Sequence, residues 1–302
     1  MIQPLRILPL SIVLAAPSAA GDQLRAALDA GACPSCLVWN RERAAFRIHG
    51  DTWYVGVEGL SVLAIDTDAG VILLDGALPQ SVQPIEKNLA AMGRSLADVR
   101  LIANSHAHFD HAGGIAELAR RSGATVLASV AGAAALKRGG PTEADPQYGF
   151  GDTMNAFPAV AEVRALTDRE SITLGELTLT AHYTPGHTPG ATSWSWRSCE
   201  ADQCVDIVYA DSLNAIAAPG FRFSNGDYAV RFAAGIERLA ALPCDIVVAV
   251  HPEMTDTFAK LAANARDPSR NAFIEPGGCR KYADAAHKRL AFRLSEERKA
   301  GR

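Results

Sequence analysis

Asn104-Ser105-His106-Ala107-His108-Phe109-Asp110-His111-Ala112-Gly113-Gly114 is the stretch whose reading decides what this chain is. Three histidines and one aspartate fall between positions 106 and 111, directly after an apolar run, Val99 to Ala103, that reads as a buried strand. Two glycines and a helical pattern, Ile115 to Ala119, follow. A strand feeding a tight turn and then a helix gathers short side chains into a crevice at the strand's carboxyl end. Imidazole and carboxylate are the donors a borderline-soft cation such as zinc accepts. In such a turn His106 and His108 point one way and Asp110 and His111 another, so one hexapeptide is able to serve two adjacent metals.

The rest of the chain sets the context. Its 302 residues are 48% hydrophobic and 21% charged, enough apolar material for a large core. A net charge of −4, with no basic cluster before the C-terminal tail, argues against a nucleic-acid partner. At the N-terminus, Arg6, the apolar stretch Ile7 to Ala16 and the small residues Pro17-Ser18-Ala19-Ala20 read as a signal peptide cleaved after Ala20. That stretch is too short to span a bilayer as a mature helix. Export to the periplasm or beyond is therefore expected, with residues 21–302 as a single mature domain.

Six cysteines agree with an oxidising compartment. Cys199 and Cys204 bracket a polar tip between two strand-like runs and are expected to staple a hairpin. Cys244 and Cys279 would tie the C-terminal segment to the body, a loop worth about 4 kcal/mol by the chain-entropy argument. Cys33-Pro34-Ser35-Cys36 admits a redox motif or half a zinc site. With nothing thioredoxin-like around it, a local disulfide is the reading taken.

Along the chain, a short helix is expected over Asp22–Ala30. Strands follow at Ala45–Ile48, Thr52–Val57, Ser61–Asp66 and Val71–Leu74, with turns between them. Pro79 opens a helix through Met92, and Thr125–Ser129 and Val130–Lys137 read as strand and helix. From Gly139 to Pro158 the pattern dissolves into a long loop, of a length that is often functional. Strands resume near Val163, at Ser171–Leu174 and at Leu177–Tyr183. A hairpin pairs Thr192–Arg197, with Trp194 and Trp196, against Val205–Ala210. Helices at Asp227–Leu242, Thr255–Arg266 and Arg280–Arg298 surround an apolar strand, Asp245–Val250. This order of strands and helices indicates two similar halves, with two sheets face to face and helices outside, an α+β fold.

Polar residues fall where strands end. His187 follows Leu177–Tyr183, Asp211 follows Val205–Ala210, and His251 follows the apolar strand. With the hexapeptide, four strand ends carry metal-capable residues, and such ends share one edge of a mixed sheet. His49, His182 and His287 take structural readings: a turn, the polar face of a strand and a charged helix.

In this order, His106-x-His108-x-Asp110-His111, His187, Asp211 and His251 resemble the metallo-β-lactamase superfamily. Gly186-His187-Thr188-Pro189-Gly190, Tyr209-Ala210-Asp211-Ser212-Leu213, Trp39-Asn40 and Pro276-Gly277-Gly278-Cys279-Arg280 look more narrowly like its third lactamase subclass. The resemblance covers essentially all of the mature chain. It implies an αββα sandwich with two zinc ions per chain. His106, His108 and His187 would hold one, and Asp110, His111 and His251 the other. Ser212 stands where another subclass has a cysteine ligand. Asp211 matches a carboxylate that bridges the metals in many superfamily hydrolases, but is left out of the metal set here. The implied activity is opening of a β-lactam amide by hydroxide generated at the metals, as in antibiotic resistance, with Asp110 also orienting the nucleophile. Ser212 and Asn214 would bind the substrate carboxylate. No Gly-x-Ser-x-Gly or Ser-x-x-Lys nucleophile motif is present. A lactonase or thioesterase on the same scaffold, and a non-catalytic zinc module, are the alternatives. A monomer without membrane attachment after cleavage is expected.

Overall fold

Val71 and Leu73 point to one side of their strand and Ile72 and Leu74 to the other, and each pair enters a different core. The same holds for Ile207 and Tyr209 against Val208 and Ala210. Side chains alternate along a strand, so strands apolar on both faces must lie inside a stack of layers. A computed structural model describes residues 33–300 and arranges them in that way. The expected signal segment and the Asp22–Ala30 helix lie outside the described residues.

The chain begins with helix α1 (Pro34–Trp39), then β1 (Phe46–His49), β2 (Thr52–Tyr54), β3 (Leu63–Thr67), β4 (Gly70–Leu74), α2 (Val82–Ala91) and β5 (Val99–Ala103). The motif turn leads to α3 (Phe109–Ala112), α4 (Ile115–Ser122), β6 (Thr125–Ser129) and α5 (Val130–Arg138). A short α6 (Asp152–Asn155), then β7 (Val163–Leu166), β8 (Ser171–Leu174), β9 (Leu177–Tyr183), β10 (Thr192–Glu200) and β11 (Gln203–Ala210) follow. Helix α7 (Tyr228–Ala240), β12 (Ile246–Ala249), α8 (Thr257–Arg266) and α9 (Gly278–Ala300) complete it.

Strands β1 to β7 form one sheet in sequential order, antiparallel from β1 to β4 and parallel from β4 to β7. The second sheet runs β12-β11-β10-β9-β8, with only β11 and β12 parallel. Three apolar cores fill the three gaps of an αββα sandwich. Ile85, Leu89, Ile115 and Leu118 of α2 and α4 cover the outer face of the first sheet. Ile65, Ile72, Trp194 and Ile207 meet between the sheets. Phe232, Ile236, Tyr282 and Leu290 of α7 and α9 cover the second sheet.

The two tryptophans of β10 show how this core is tied to the motif. Trp194 is fully buried and its indole N–H donates to the Asn104 carbonyl at 3.2 Å. Trp196 donates to Thr52 Oγ1 at 3.1 Å. Each buried ring thus has its one donor satisfied, and loss of such a ring costs about 3–5 kcal/mol.

Several boundaries differ from the sequence reading. The hairpin is longer than expected, closing on a two-residue turn at Ala201-Asp202 with Cys199 opposite Cys204. Thr52–Val57 ends as a strand at Tyr54, where the chain turns back and Val57 N bonds Leu60 O at 3.1 Å. The helix expected from Thr255 is split: Pro252–Thr255 is a 3-10 turn, Asp256 adopts φ 54°, and α8 starts afresh. The long loop carries a 3-10 turn at Tyr148–Phe150 besides α6. Disulfides join Cys33 to Cys36, Cys199 to Cys204 and Cys244 to Cys279.

Candidate metal centre

The turn after β5 is shaped by Asp75, at the end of the neighbouring strand β4. Its carboxylate accepts from Ser105 N at 2.7 Å, Ser105 Oγ at 2.6 Å and Asn104 Nδ2 at 2.9 Å, and the Tyr209 hydroxyl lies 2.9 Å away. Asp75 sits at φ 65°, a conformation held against its intrinsic cost by those contacts. Gly114 then packs on the Gly76 backbone: a Cβ there would lie 2.3 Å from Gly76 O. The chain therefore leaves β5 along one path, and His106, His108, Asp110 and His111 are all buried beneath the sheet edge.

Strands β9, β11 and β12 run in the same direction, so the residues after their carboxyl ends reach that edge together. His187 arrives on a turn whose Gly186 lies against the Phe232 ring, where a Cβ would come within 1.9 Å. The Tyr228 hydroxyl donates to Gly186 O at 3.1 Å, and Ser129 Oγ to Gly190 O at 2.6 Å.

Three imidazoles, those of His106, His108 and His187, form a nearly equilateral group. Their ring centroids are 4.8, 4.8 and 4.9 Å apart and their planes are steeply inclined to one another. Beside them, His111 Nε2 lies 3.3 Å from His251 Nε2 and 3.3 Å from Asp110 Oδ2, and His251 Nε2 lies 3.5 Å from Asp110 Oδ2. A tetrahedral zinc with bonds of about 2.0–2.1 Å needs donor atoms about 3.4 Å apart, so these three fit its edges. His106 stands between the groups: its donor atom and those of Asp110 and His111 also lie within 4.8 Å of one another.

Outer contacts decide which nitrogen each ring offers. Asp211 Oδ1 lies 2.6 Å from His106 Nδ1, and His106 Nε2 is buried with no hydrogen-bond partner among the described residues. His108 Nε2 donates to both oxygens of Asp145 at 3.2 Å, leaving Nδ1 for the centre. His187 Nδ1 donates to Asn214 O at 2.8 Å, and His251 Nδ1 to Gly59 O at 3.1 Å. Each contact holds a ring in one tautomer and aims a lone pair inward, the usual construction around a ligated metal. An orphaned buried nitrogen and inward lone pairs of zinc-compatible type are what a cation here would satisfy.

The electrostatics agree. Burial pushes the His187 imidazole down to about 3, with His108 adding to the effect. Burial and the neighbouring His111 likewise hold His106 well below the usual range, and the same two causes lower His251. Burial alone would raise the Asp110 carboxyl, but His111 and His251 outweigh it and hold it below the carboxylate range. His111 moves the other way: burial opposes its charge, and Asp110 more than compensates.

Of the other expected site residues, Ser212 is 2% exposed at the start of the loop after β11, while Asn214, two residues on, is half-buried. Trp39 lies against His251, with ring centroids 5.4 Å apart. Asp211 sits on the outer side of His106 and not between the two groups. His49 faces Gln203 O and Glu200, His182 contacts Ser195 Oγ and His287 contacts Glu237, all away from the centre. The residues that sequence reasoning did not single out are Asp75, Asp145 and Gln147. Gln147 Nε2 lies 3.4 Å from His187 Nε2, and Asp145 Oδ1 accepts from Gln147 N at 2.8 Å. For Asp145 and Gln147 the signal was the long loop itself, too irregular to be read position by position; Asp75, ending β4, gave none.

A family model described as the metallo-beta-lactamase superfamily matches residues 55–251. A subclass B3 metallo-beta-lactamase from a soil metagenome library is 44% identical, over 87% of this chain and 99% of its own, with a TM-score of 0.83. The Rm3 metallo-beta-lactamase is 42% identical over 88% and 99%, with a TM-score of 0.85. A subclass B3 metallo-beta-lactamase of Bradyrhizobium japonicum is 32% identical over 89% and 100%, with a TM-score of 0.79. Among curated proteins, a hydroxyacylglutathione hydrolase of Bradyrhizobium sp. (strain ORS 278) is 29% identical over 63% of this chain. The match spans 60% of that relative's length, and 29% of the length of a second hydroxyacylglutathione hydrolase, from Anaeromyxobacter dehalogenans.

Proposed function

We propose, since the chain belongs to subclass B3 of the metallo-beta-lactamase superfamily, that it opens the lactam amide of β-lactam antibiotics. The observation that carries this reading is the pairing of the two donor groups at one sheet edge, within a chain whose B3 relatives match it nearly end to end. His106, His108 and His187 would hold one zinc, and Asp110, His111 and His251 the other. Zinc held there supplies Lewis acidity and brings the pKa of water towards about 7.

The protein's own groups do the remaining work. The Asp145 carboxylate and the carbonyls of Asn214 and Gly59 orient His108, His187 and His251 so that their other ring nitrogens face the centre. Asp110 Oδ2 faces His111 and His251, which leaves Oδ1 to accept a hydrogen bond from the attacking water and orient it. Ser212 and Asn214 lie on the loop that backs His187 and would meet the substrate carboxylate. Trp39 packs against His251. The zinc-loaded protein is expected to hydrolyse nitrocefin and a carbapenem, to lose this activity on chelation, and to lose it in His187→Ala. A fully loaded protein inert on penicillins, cephalosporins and carbapenems would refute the reading.

A thioesterase is the second reading, favoured by the curated relatives named as hydroxyacylglutathione hydrolases. Against it, Asp211 stands outside the pair of donor groups, on the far side of His106. Parallel assays on S-lactoylglutathione and an acyl-homoserine lactone separate the possibilities. Three disulfides accord with an extracytoplasmic setting, and no described helix is long and apolar enough to cross a membrane. Our reading is a periplasmic or secreted monomer of one hydrolase domain.

A further inference from the structure

A groove of about 460 Å³ lies behind the metal centre, between the loop at Asn214 and helix α9. Asn214 O holds His187 in place from one side, and the same residue forms a wall of the groove on the other. Across from it stand Lys288, Arg289 and Phe292, and Phe292 is 69% exposed, its ring open to the groove.

The charges in this groove do not cancel. Arg293 at one end is paired with Glu297 at 2.9 Å, and Glu296 with Lys299 at 2.7 Å. Lys288 and Arg289 have no carboxylate partner among the described residues. Arg289 reaches the Leu213 carbonyl only at 3.4 Å, and its buried Nε has no hydrogen-bond partner among the described residues. The half-buried guanidinium lines the groove and, with one carbonyl contact, keeps donor capacity for an anion. Two uncompensated cations beside an exposed aromatic ring are complementary to an anion with an apolar body, with the guanidinium taking its oxygens and the ring its hydrocarbon.

We propose that this groove is a second ligand site, separate from the metal centre, that takes an aromatic or apolar carboxylate. The carboxylate sits between Lys288 and Arg289, and the apolar body lies on Phe292 against the Ala215 wall. The site stands on its own geometry, so failure of the lactamase reading would leave it intact, and the reverse.

The probe is 2-naphthoate, with neutral 2-naphthamide as its control, titrated into the zinc-loaded full chain by calorimetry. Naphthoate is expected to bind more tightly than naphthamide and to weaken with added salt as exposed charges are screened. In the double variant Lys288→Glu, Phe292→Ala its Kd should rise about tenfold or more, the scale of one lost charge contact plus one lost apolar contact. Both side chains are exposed and lie outside the metal centre, so zinc content and the unfolding midpoint should stay at wild-type values. Equal binding of naphthoate and naphthamide would overturn the proposal. So would naphthoate binding that survives in the double variant but vanishes in His187→Ala, since it would then belong to the metal centre.

Discussion

Asp145→Asn and Asp145→Ala test whether the loop after α5 tunes the metal centre through one imidazole. Both Asp145 oxygens lie 3.2 Å from His108 Nε2, and the residue is 5% exposed, so little water stands ready to replace it. Asparagine keeps one acceptor and removes the charge that makes the imidazole a stronger donor to a cation. Alanine removes both and frees the ring to rotate or to take the other tautomer. Loss of such an outer partner costs about 10–100-fold in metal affinity, or about 1.4–2.8 kcal/mol. The expected order is wild type, then Asn weaker by about tenfold, then Ala weaker by about a hundredfold, in zinc affinity measured by competition with a chromophoric chelator. Asp145 also accepts from Gln147 N, so loss of loop structure could imitate the effect. Asn155→Ala controls for this, because Asn155 Nδ2 holds Gln147 O at 2.8 Å without touching His108. If both Asp145 variants bind zinc as wild type does, or if Asn155→Ala reproduces the whole loss, orientation of His108 by Asp145 is refuted.

Three further outcomes follow from contacts elsewhere in the fold. Gly186→Ala would drive a Cβ into the Phe232 ring, and overpacking of this kind should cost about 3 kcal/mol and lower zinc affinity by shifting His187; an unchanged denaturant midpoint would contradict it. Cys244→Ser with Cys279→Ser opens a crosslink between residues 35 apart, expected to cost about 4 kcal/mol by the chain-entropy argument and measurable as a lowered urea midpoint. Glu297 accepts from Phe223 N and Ser224 N at 2.9 Å and pairs with Arg293; burial opposes its charge, but these donors win and lower its carboxyl. A depressed carboxylate stabilises the fold above its unfolded pKa of about 4.3 and loses that contribution as pH falls through the lower folded value. Glu297→Gln should therefore be less stable than wild type by about 1.5–3 kcal/mol at neutral pH, with the gap closing in acid; a gap constant with pH would exclude the charge as its source.

Much of the layer order was legible before any coordinates. Val71–Leu74 and Ile207–Ala210 are apolar on both faces, which only an internal layer accommodates. Element boundaries were less legible where local chemistry is indifferent. Thr257–Arg266 has a helical pattern, but the break at Asp256 is imposed by Thr255 Oγ1 accepting from Ala249 N at 3.1 Å, a contact with another element. The six expected metal donors were recognisable because their residue types are rare and recur at strand ends. Asp75, Asp145 and Gln147 were not, because aspartate and glutamine in turns are common and nothing local distinguishes one that faces a histidine.

What the sequence by itself determined is the inventory: donors of the right hardness, spaced in one hexapeptide and after two later strands, on strands too apolar to stay at a surface. Only the tertiary structure decided which nitrogen of each ring turns inward, that Asp211 stands behind His106 and not between the donor groups, and that Arg289 is left without a carboxylate among the described residues. The reason is physical. Periodicity and composition report what each segment must bury, a property of that segment alone. A tautomer, an outer partner or an uncompensated charge depends on atoms tens or hundreds of residues away, brought within hydrogen-bond distance by folding.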